Sequence, residues 1–93
     1  MSELVAVRVK VYGCVQGVCF RHFTSRRAAV LDLSGYVHNL PDATVDVYAE
    51  GEREKLEEFI HHLKAGPPAA TVERVEVVWG EHGGGYCGFK IRY

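Results

Sequence analysis

The sequence lacks the length of a large enzyme, the long apolar run of a membrane protein and the apolar core of a secretory signal. With 93 residues, it is too short for a two-domain enzyme or for a fold such as a TIM barrel, which needs about 200 residues or more. No apolar run approaches the length of about 18 residues that spans a membrane. The N-terminal MSELVAVRVK lacks the apolar core of a secretory signal. We therefore expect a single cytoplasmic domain over residues 1–93, monomeric and not bound to a membrane.

Cysteine is also scarce in this chain. Cys14, Cys19 and Cys87 are its three cysteines, a low and odd number that excludes a disulfide scaffold. In the reducing cytoplasm, all three thiols are expected to be free. The spacing leaves open a contact between Cys14 and Cys87, whereas Cys14 and Cys19 are expected to be small packing residues rather than nucleophiles.

Acidic side chains are missing from one part of the chain. No Asp or Glu lies between Leu4 and Leu31, and the same stretch carries five basic residues: Arg8, Lys10, Arg21, Arg26 and Arg27. Residues 1–31 therefore have a formal charge of +4, whereas residues 32–93, with six bases and eleven acids, have −5. A cationic segment within a nearly neutral chain indicates a small anionic ligand rather than nucleic acid, which usually needs a basic domain.

Alternation of apolar and polar residues predicts five strands. Valine occupies every second position from 5 to 11, as in a strand with one buried face. The other strands are predicted at residues 35–40, 45–50, 72–79 and 89–93. Between the second and third strands, Pro41-Asp42-Ala43-Thr44 is typical of a turn.

Helical spacing predicts two helices. The first covers residues 20–31, with an inner side expected to consist of Phe20, Phe23, Ala28, Ala29, Val30 and Leu31. The second has apolar residues at i, i+3, i+4 and i+7, namely Leu56, Phe59, Ile60 and Leu63. Gly66-Pro67-Pro68 is expected to end it.

The predicted order is β-α-β-β-α-β with an additional C-terminal strand. Because each strand pattern has one polar face, we expect an antiparallel sheet with both helices on its other face. This is an α+β protein with a ferredoxin-like sandwich. RNA-recognition domains share this plan, and Tyr12 and Tyr48 keep that alternative open. However, the open face of the first strand presents Arg8 and Lys10, and no RNP1-like run exists.

The loop between the first strand and the first helix carries the strongest functional signal. It reads Gly13-Cys14-Val15-Gln16-Gly17-Val18-Cys19-Phe20-Arg21. Two glycines allow a tight turn and a close backbone approach to a ligand. The first helical turn contains Arg21 and no acid, so its amides and the guanidinium favour a phosphate. The spacing alone leaves open a simple glycine turn with a surface arginine.

Common phosphate-site motifs do not match this loop. A Walker A loop requires a lysine directly after its second glycine, and none follows Gly17. The spacing of Arg21 from Cys14 and from Cys19 does not fit a cysteine phosphatase. Arg21-His22 is followed by Phe23 in a chain too short for a histidine phosphatase. What remains is a phosphate cradle without an obvious covalent nucleophile.

The same loop carries a family resemblance. Its run GCVQGVCFR resembles the G-x-V-Q-G-V-x-F-R signature of the acylphosphatases. Residues 35–40, GYVHNL, resemble the family's second signature region, and the similarity continues through Glu50-Gly51, Gly66-Pro67 and residues 89–93. The sequence departs from the family at three positions where glycine is frequent: Cys19, Asp32 and Ala43.

The resemblance implies hydrolysis of acyl phosphates, the mixed anhydrides of carboxylic and phosphoric acids. The expected partners are an acyl phosphate substrate and inorganic phosphate, with no cofactor, no metal and no phosphoenzyme. The family's catalytic arginine and asparagine match Arg21 and Asn39. Arg21 and the amides of the phosphate-binding loop, residues 15–21 (Val15, Gln16, Gly17, Val18, Cys19, Phe20 and Arg21), are expected to hold the phosphoryl group. A non-catalytic, acylphosphatase-like phosphate-binding or regulatory module is the alternative.

Elementary chemistry agrees with these roles. Phosphoryl transfer mainly requires positioning and charge stabilisation, which Arg21 and loop amides supply. The amide of Asn39 can orient an attacking water. Gln16 is expected to stabilise the loop, and His22 and His38 are expected to be exposed polar residues near the site.

Overall fold

The computed structural model describes residues 3–93, so residues 1 and 2 of the expected domain lie outside the described residues. Along the chain the elements are β1 (Leu4–Cys14), α1 (Phe20–Val30), β2 (Ser34–Asn39), β3 (Val45–Glu52), α2 (Arg53–Ala65), β4 (Thr71–Glu81) and β5 (Phe89–Arg92). The predicted order of strands and helices is confirmed. Neither helix in the described part of the chain is long and apolar enough to cross a membrane.

The five strands form one sheet in the order β4-β1-β3-β2-β5. The pairs among β4, β1, β3 and β2 are antiparallel, as predicted. The pair of β2 with β5 is parallel, so the expected fully antiparallel sheet is wrong at this edge. The reason lies in the connection, because residues 82–88 carry the chain from one edge of the sheet to the other. After this crossing, β5 runs in the direction opposite to β4, which is the direction of β1 and β2.

Both helices cover the same face of the sheet, where the core lies. Alternate valines of β1 and β3 are fully buried there, as are the apolar residues of α2: Leu56, Phe59 and Leu63. The other face is open and carries the polar half of each strand. This is the ferredoxin-like α+β architecture that the sequence predicts.

The inner side of α1 differs from the prediction. Phe20, Thr24 and Ala28 are its buried residues, and Leu31 follows them into the core. Thr24 reaches this position because its hydroxyl donates to the Phe20 carbonyl at 2.9 Å, which satisfies the buried oxygen. Val30, expected on the inner side, is 77% exposed, so that expectation is wrong.

Candidate active site

A cleft of about 260 Å³ lies where the β1–α1 loop meets the end of β2. We call it the phosphate cleft, and its lining residues are Val15, Gly17, Cys19, Phe20, Arg21, His22 and Asn39. Arg21 comes from the first turn of α1 and Asn39 from the last residue of β2. The fold thus brings both candidate catalytic residues to one cleft, although 17 positions separate them in the sequence. Gln16 and Val18 belong to the same loop but do not line the cleft.

Glycine sets the course of the loop at both of its turns. Gly13 has a φ of 130°, and a Cβ there would lie 2.1 Å from the Thr71 carbonyl oxygen. Only glycine therefore fits at this point, where the β1–β4 register shifts by a bulge. Gly17 has a φ of 73° and open space around it, so its backbone conformation alone favours glycine.

Gln16 anchors the loop to the β2–β3 turn. Its side-chain nitrogen donates to the carbonyl oxygens of Leu40 at 2.8 Å and Thr44 at 2.9 Å. These two bonds tie the phosphate-binding loop to the segment that follows Asn39. The contacts agree with the loop-stabilising role expected from the sequence, and they hold the two sides of the cleft at a fixed separation.

The N-terminus of α1 opens onto the phosphate cleft. Cys19 is the N-cap, with a left-handed backbone (φ 61°, ψ 24°) and no capping hydrogen bond from its side chain. The Phe23 N–H donates to the Cys19 carbonyl at 3.0 Å, so the preceding amides of the first turn have no acceptor within the helix. Because this turn holds no acidic side chain, the positive end of the helix dipole is left uncompensated for an anion.

Arg21 is held by the C-terminal end of the chain. Its guanidinium donates to the Arg92 carbonyl oxygen at 3.2 Å and lies 4.6 Å from the centroid of the Tyr93 ring. These contacts could not be predicted from the sequence, because nothing in the spacing relates residue 21 to residues 92 and 93. The alternation in β5 was a partial signal, since it places Tyr93 on the same face of the sheet as Phe89 and Ile91.

Asn39 brings an unused acceptor to the phosphate cleft. Its Oδ1 atom is buried and accepts no hydrogen bond from the described residues. A buried polar atom normally has a partner, because desolvation without one costs about 1–3 kcal/mol. Asn39 also lines the phosphate cleft, so a rotation of its amide would present this acceptor to a hydrogen-bond donor in the cleft, such as a water molecule or a ligand.

The turn after Asn39 is fixed by a carboxylate. Asp42 accepts hydrogen bonds from the Thr44 hydroxyl and from the Thr44 N–H at 3.2 Å, and Lys10 Nζ lies 3.0 Å from it. The hydroxyl bond, followed by the lysine contact, lowers the pKa of Asp42 to about 2. The carboxylate is therefore ionised at neutral pH and ties the turn to β1.

The two candidate histidines, His22 and His38, lie in different parts of the structure, and the three cysteines are not paired with one another. His22 lines the phosphate cleft and is exposed, whereas His38 lies on the open face of the sheet, opposite Asp46. Cys14, Cys19 and Cys87 are free and exposed, so the packing role expected for Cys14 and Cys19 is wrong. Within residues 3–93, no group of three or more His, Cys, Asp or Glu side chains is placed to hold a metal ion.

Comparison with known proteins gives a consistent result. The sequence profile of the acylphosphatase family matches residues 7–91 of this chain. An acylphosphatase of Thermus thermophilus is 56% identical over 84 residues, which cover 90% of this chain and 92% of the relative. An acylphosphatase of Caldivirga maquilingensis is 47% identical, with 100% of this chain and 99% of the relative covered.

Solved structures agree with the sequence comparison. The crystal structure of an acylphosphatase from Bacillus subtilis superposes with a TM-score of 0.92 at 35% identity, covering 96% of this chain and 99% of that one. The sequence similarity and the architecture therefore extend over nearly the whole chain.

Proposed function

Because the chain belongs to the acylphosphatase family and is an enzyme that hydrolyses acyl phosphates, we propose that the phosphate cleft is its active site. In this proposal Arg21 and the amides of residues 15–20 bind the phosphoryl group, and Asn39 orients the attacking water. The observation that carries it is the buried, unpartnered Oδ1 of Asn39 in the same cleft as Arg21 and the acid-free helix terminus.

The cationic side of the cleft suits a phosphoryl group. Arg21 offers donors in a planar fork that matches two phosphoryl oxygens. The free amides of the α1 terminus add further donors, and both lie in place before the substrate arrives. As charge spreads over the equatorial oxygens in the transition state, these bonds strengthen. The contacts with the Arg92 carbonyl and the Tyr93 ring limit the motion of the guanidinium.

Asn39 supplies the complementary function. Its Oδ1 accepts a hydrogen bond from one water, and the oxygen of that water is then directed at phosphorus. The attack is in line, so the acyl oxygen leaves on the opposite side. A carboxylate is a weak base and departs without protonation, so the site needs no general acid. One proton of the attacking water passes to an oxygen of the phosphoryl group, so the products are a carboxylate and inorganic phosphate.

The proposed roles are separated by measuring turnover and phosphate binding on the same variants. Phosphate release from acetyl phosphate is followed without added metal, and the Kd of inorganic phosphate is measured by calorimetry. Arg21→Ala is expected to lower kcat/KM by about a thousandfold or more and to weaken phosphate binding. Asn39→Ala is expected to lower kcat by about a hundredfold or more with an unchanged Kd.

Arg74→Ala is the matched control, because Arg74 is an exposed arginine on the opposite edge of the sheet, in β4. It should retain wild-type kcat and phosphate affinity. Full activity in Asn39→Ala would contradict the role of Asn39. Equal loss of phosphate affinity in Asn39→Ala and Arg21→Ala would show that both residues bind phosphate and that neither is specific to the water.

A further inference from the structure

A second cleft adjoins the phosphate cleft and is larger, at about 430 Å³. One wall is the outer face of α1, with Phe23, Arg26, Arg27 and Val30, and the other is Pro67-Pro68. Cys19 lines both clefts, so the two spaces adjoin at the N-cap of α1. We call this second space the α1 groove.

We propose that the α1 groove binds the acyl group of the substrate, and that it selects extended apolar acyl groups. The inference rests on the proposed function, because it takes the phosphoryl group to lie in the phosphate cleft. It assigns a use to a surface that the hydrolysis of a small acyl phosphate does not require.

The chemistry of the walls favours an apolar chain. The Val30 side chain is 77% exposed, and Phe23 is half-buried with its ring in contact with solvent. The Arg27 guanidinium lies 5.4 Å from the centroid of the Phe23 ring. Arg26 and Arg27 both line the groove and are exposed, and the aliphatic stem of an arginine can cover apolar surface while its charge stays in water. No acid lines the groove, so an anionic substrate meets no repulsion there.

The geometry of in-line displacement also favours the α1 groove as the site of the acyl group. Asn39 lines the phosphate cleft but not the α1 groove, whereas Cys19 lines both. A water held by Asn39 attacks from its own side, and the leaving carboxylate must depart from the side away from Asn39. The α1 groove is an exit that begins at the cleft and does not involve Asn39.

The length of the groove determines which acyl groups are long enough to bury apolar surface in it. The 11 residues of α1 extend about 16 Å at 1.5 Å per residue, and Val30 stands at the far end. An acetyl group stays beside Cys19, whereas an octanoyl chain extends along Phe23 and toward Arg26. Each buried methylene corresponds to a gain of up to about fourfold in kcat/KM.

The test compares acetyl, hexanoyl and octanoyl phosphate on the wild-type enzyme and on two variants. Val30→Glu introduces a carboxylate at the far end of the groove. Because helical side chains point back over the preceding turn, this carboxylate lies toward Arg26, where the octanoyl chain ends. Val78→Glu is the matched control, because Val78 is also an exposed valine, 65% accessible, but lies in β4. The expected wild-type ratio of kcat/KM for octanoyl over acetyl phosphate is about tenfold or more. Val30→Glu should reduce that ratio at least fivefold, and Val78→Glu should retain it.

Inhibition by the free acids gives a second measurement that needs no variant. Octanoate is expected to compete with acetyl phosphate at least tenfold more strongly than acetate does. Equal kcat/KM for the three substrates, or a higher value for succinyl phosphate than for octanoyl phosphate, would overturn the assignment to apolar acyl groups. If acetyl phosphate itself were not hydrolysed, the proposed function would fail instead, so the two outcomes are distinguishable.

Discussion

At the scale of single residues, three side chains occupy backbone conformations that usually belong to glycine. Cys19, Asp32 and Ala43 have φ angles of 61°, 57° and 70°. Asp32 ends α1 in a Schellman arrangement. The Asp32 N–H donates to the Ala29 carbonyl oxygen, and the Leu33 N–H donates to the Ala28 carbonyl oxygen. Aspartate tolerates this conformation, whereas alanine has no side-chain group that compensates for it.

Replacing Ala43 with glycine should therefore stabilise the protein. The left-handed conformation costs alanine about 1–2 kcal/mol, and the greater freedom of glycine in the unfolded chain offsets about 0.5–1 kcal/mol of the gain. We expect Ala43→Gly to raise the free energy of unfolding in urea by about 0.5–1 kcal/mol. Ala29→Gly, an exposed position with helical geometry in α1, should lower it by a similar amount. A loss of stability in both variants would contradict the strain at Ala43.

At the scale of elements, β5 is a short strand with a role at the phosphate cleft. It has four residues and pairs on one side only, with β2. Its last carbonyl accepts the hydrogen bond from Arg21, and the next residue, Tyr93, lies against the guanidinium. The position of this strand therefore affects the orientation of Arg21.

The Tyr93 ring is expected to contribute to activity more than to stability. A cation–π contact at an exposed site is worth about 0.5–1 kcal/mol, which corresponds to about two- to fivefold in kcat/KM. Tyr93→Ala should lower kcat/KM for acetyl phosphate by that factor, with little change in Tm because Tyr93 is 90% exposed. Tyr93→Phe keeps the ring and should retain the wild-type rate. An equal loss in the phenylalanine variant would show that the ring face is not the contributing contact.

Most elements could be predicted from the sequence, but their partners could not. Alternation locates β5 correctly, yet it carries no information on which edge the strand joins, so its parallel pairing was missed. Hydrophobicity suggested Val30 for the inner side of α1, where Thr24 lies instead, because a hydroxyl bonded to its own helix can be buried. The loop and Asn39 were identifiable from residue types and motif, whereas the contact of Arg21 with the Arg92 carbonyl depends on tertiary structure.

At the scale of the whole molecule, folding brings some of the basic side chains of residues 1–31 next to acidic side chains of residues 32–93. The strand β1 lies between β3 and β4, so its bases meet acids from the later part of the chain. Lys10 Nζ is 3.0 Å from Asp42, and Arg8 Nε is 3.7 Å from Asp46. The pKa of the Arg8 guanidinium is raised mainly by its hydrogen bond to the Tyr36 hydroxyl, and the charge of Asp46 adds to this effect. The basic side chains of α1, Arg21, Arg26 and Arg27, line the two clefts.

On the open face of the sheet, the buried carboxylate of Glu50 ties β3 to the segment that follows β4. Glu50 is 2% exposed and accepts hydrogen bonds from the Tyr48 hydroxyl at 2.6 Å and from the N–H groups of Gly83 and Gly84 at 2.8 and 3.2 Å. It thereby fixes the start of the segment that leads to β5. Burial acts to raise the pKa of Glu50, but the three hydrogen bonds outweigh it, and the pKa lies below its usual 4.5.

This carboxylate should contribute to the acid sensitivity of the fold. Because the folded pKa of Glu50 is lowered, the unfolded chain binds more protons just below pH 4.5, and stability is lost as the pH falls through the folded pKa. Glu50→Gln should lower the free energy of unfolding at pH 7 by about 1–3 kcal/mol. The difference from wild type, measured from urea midpoints, should shrink from pH 5 to pH 3. Glu73→Gln, at an exposed glutamate, should show neither effect, and a constant difference for Glu50→Gln would contradict the assignment.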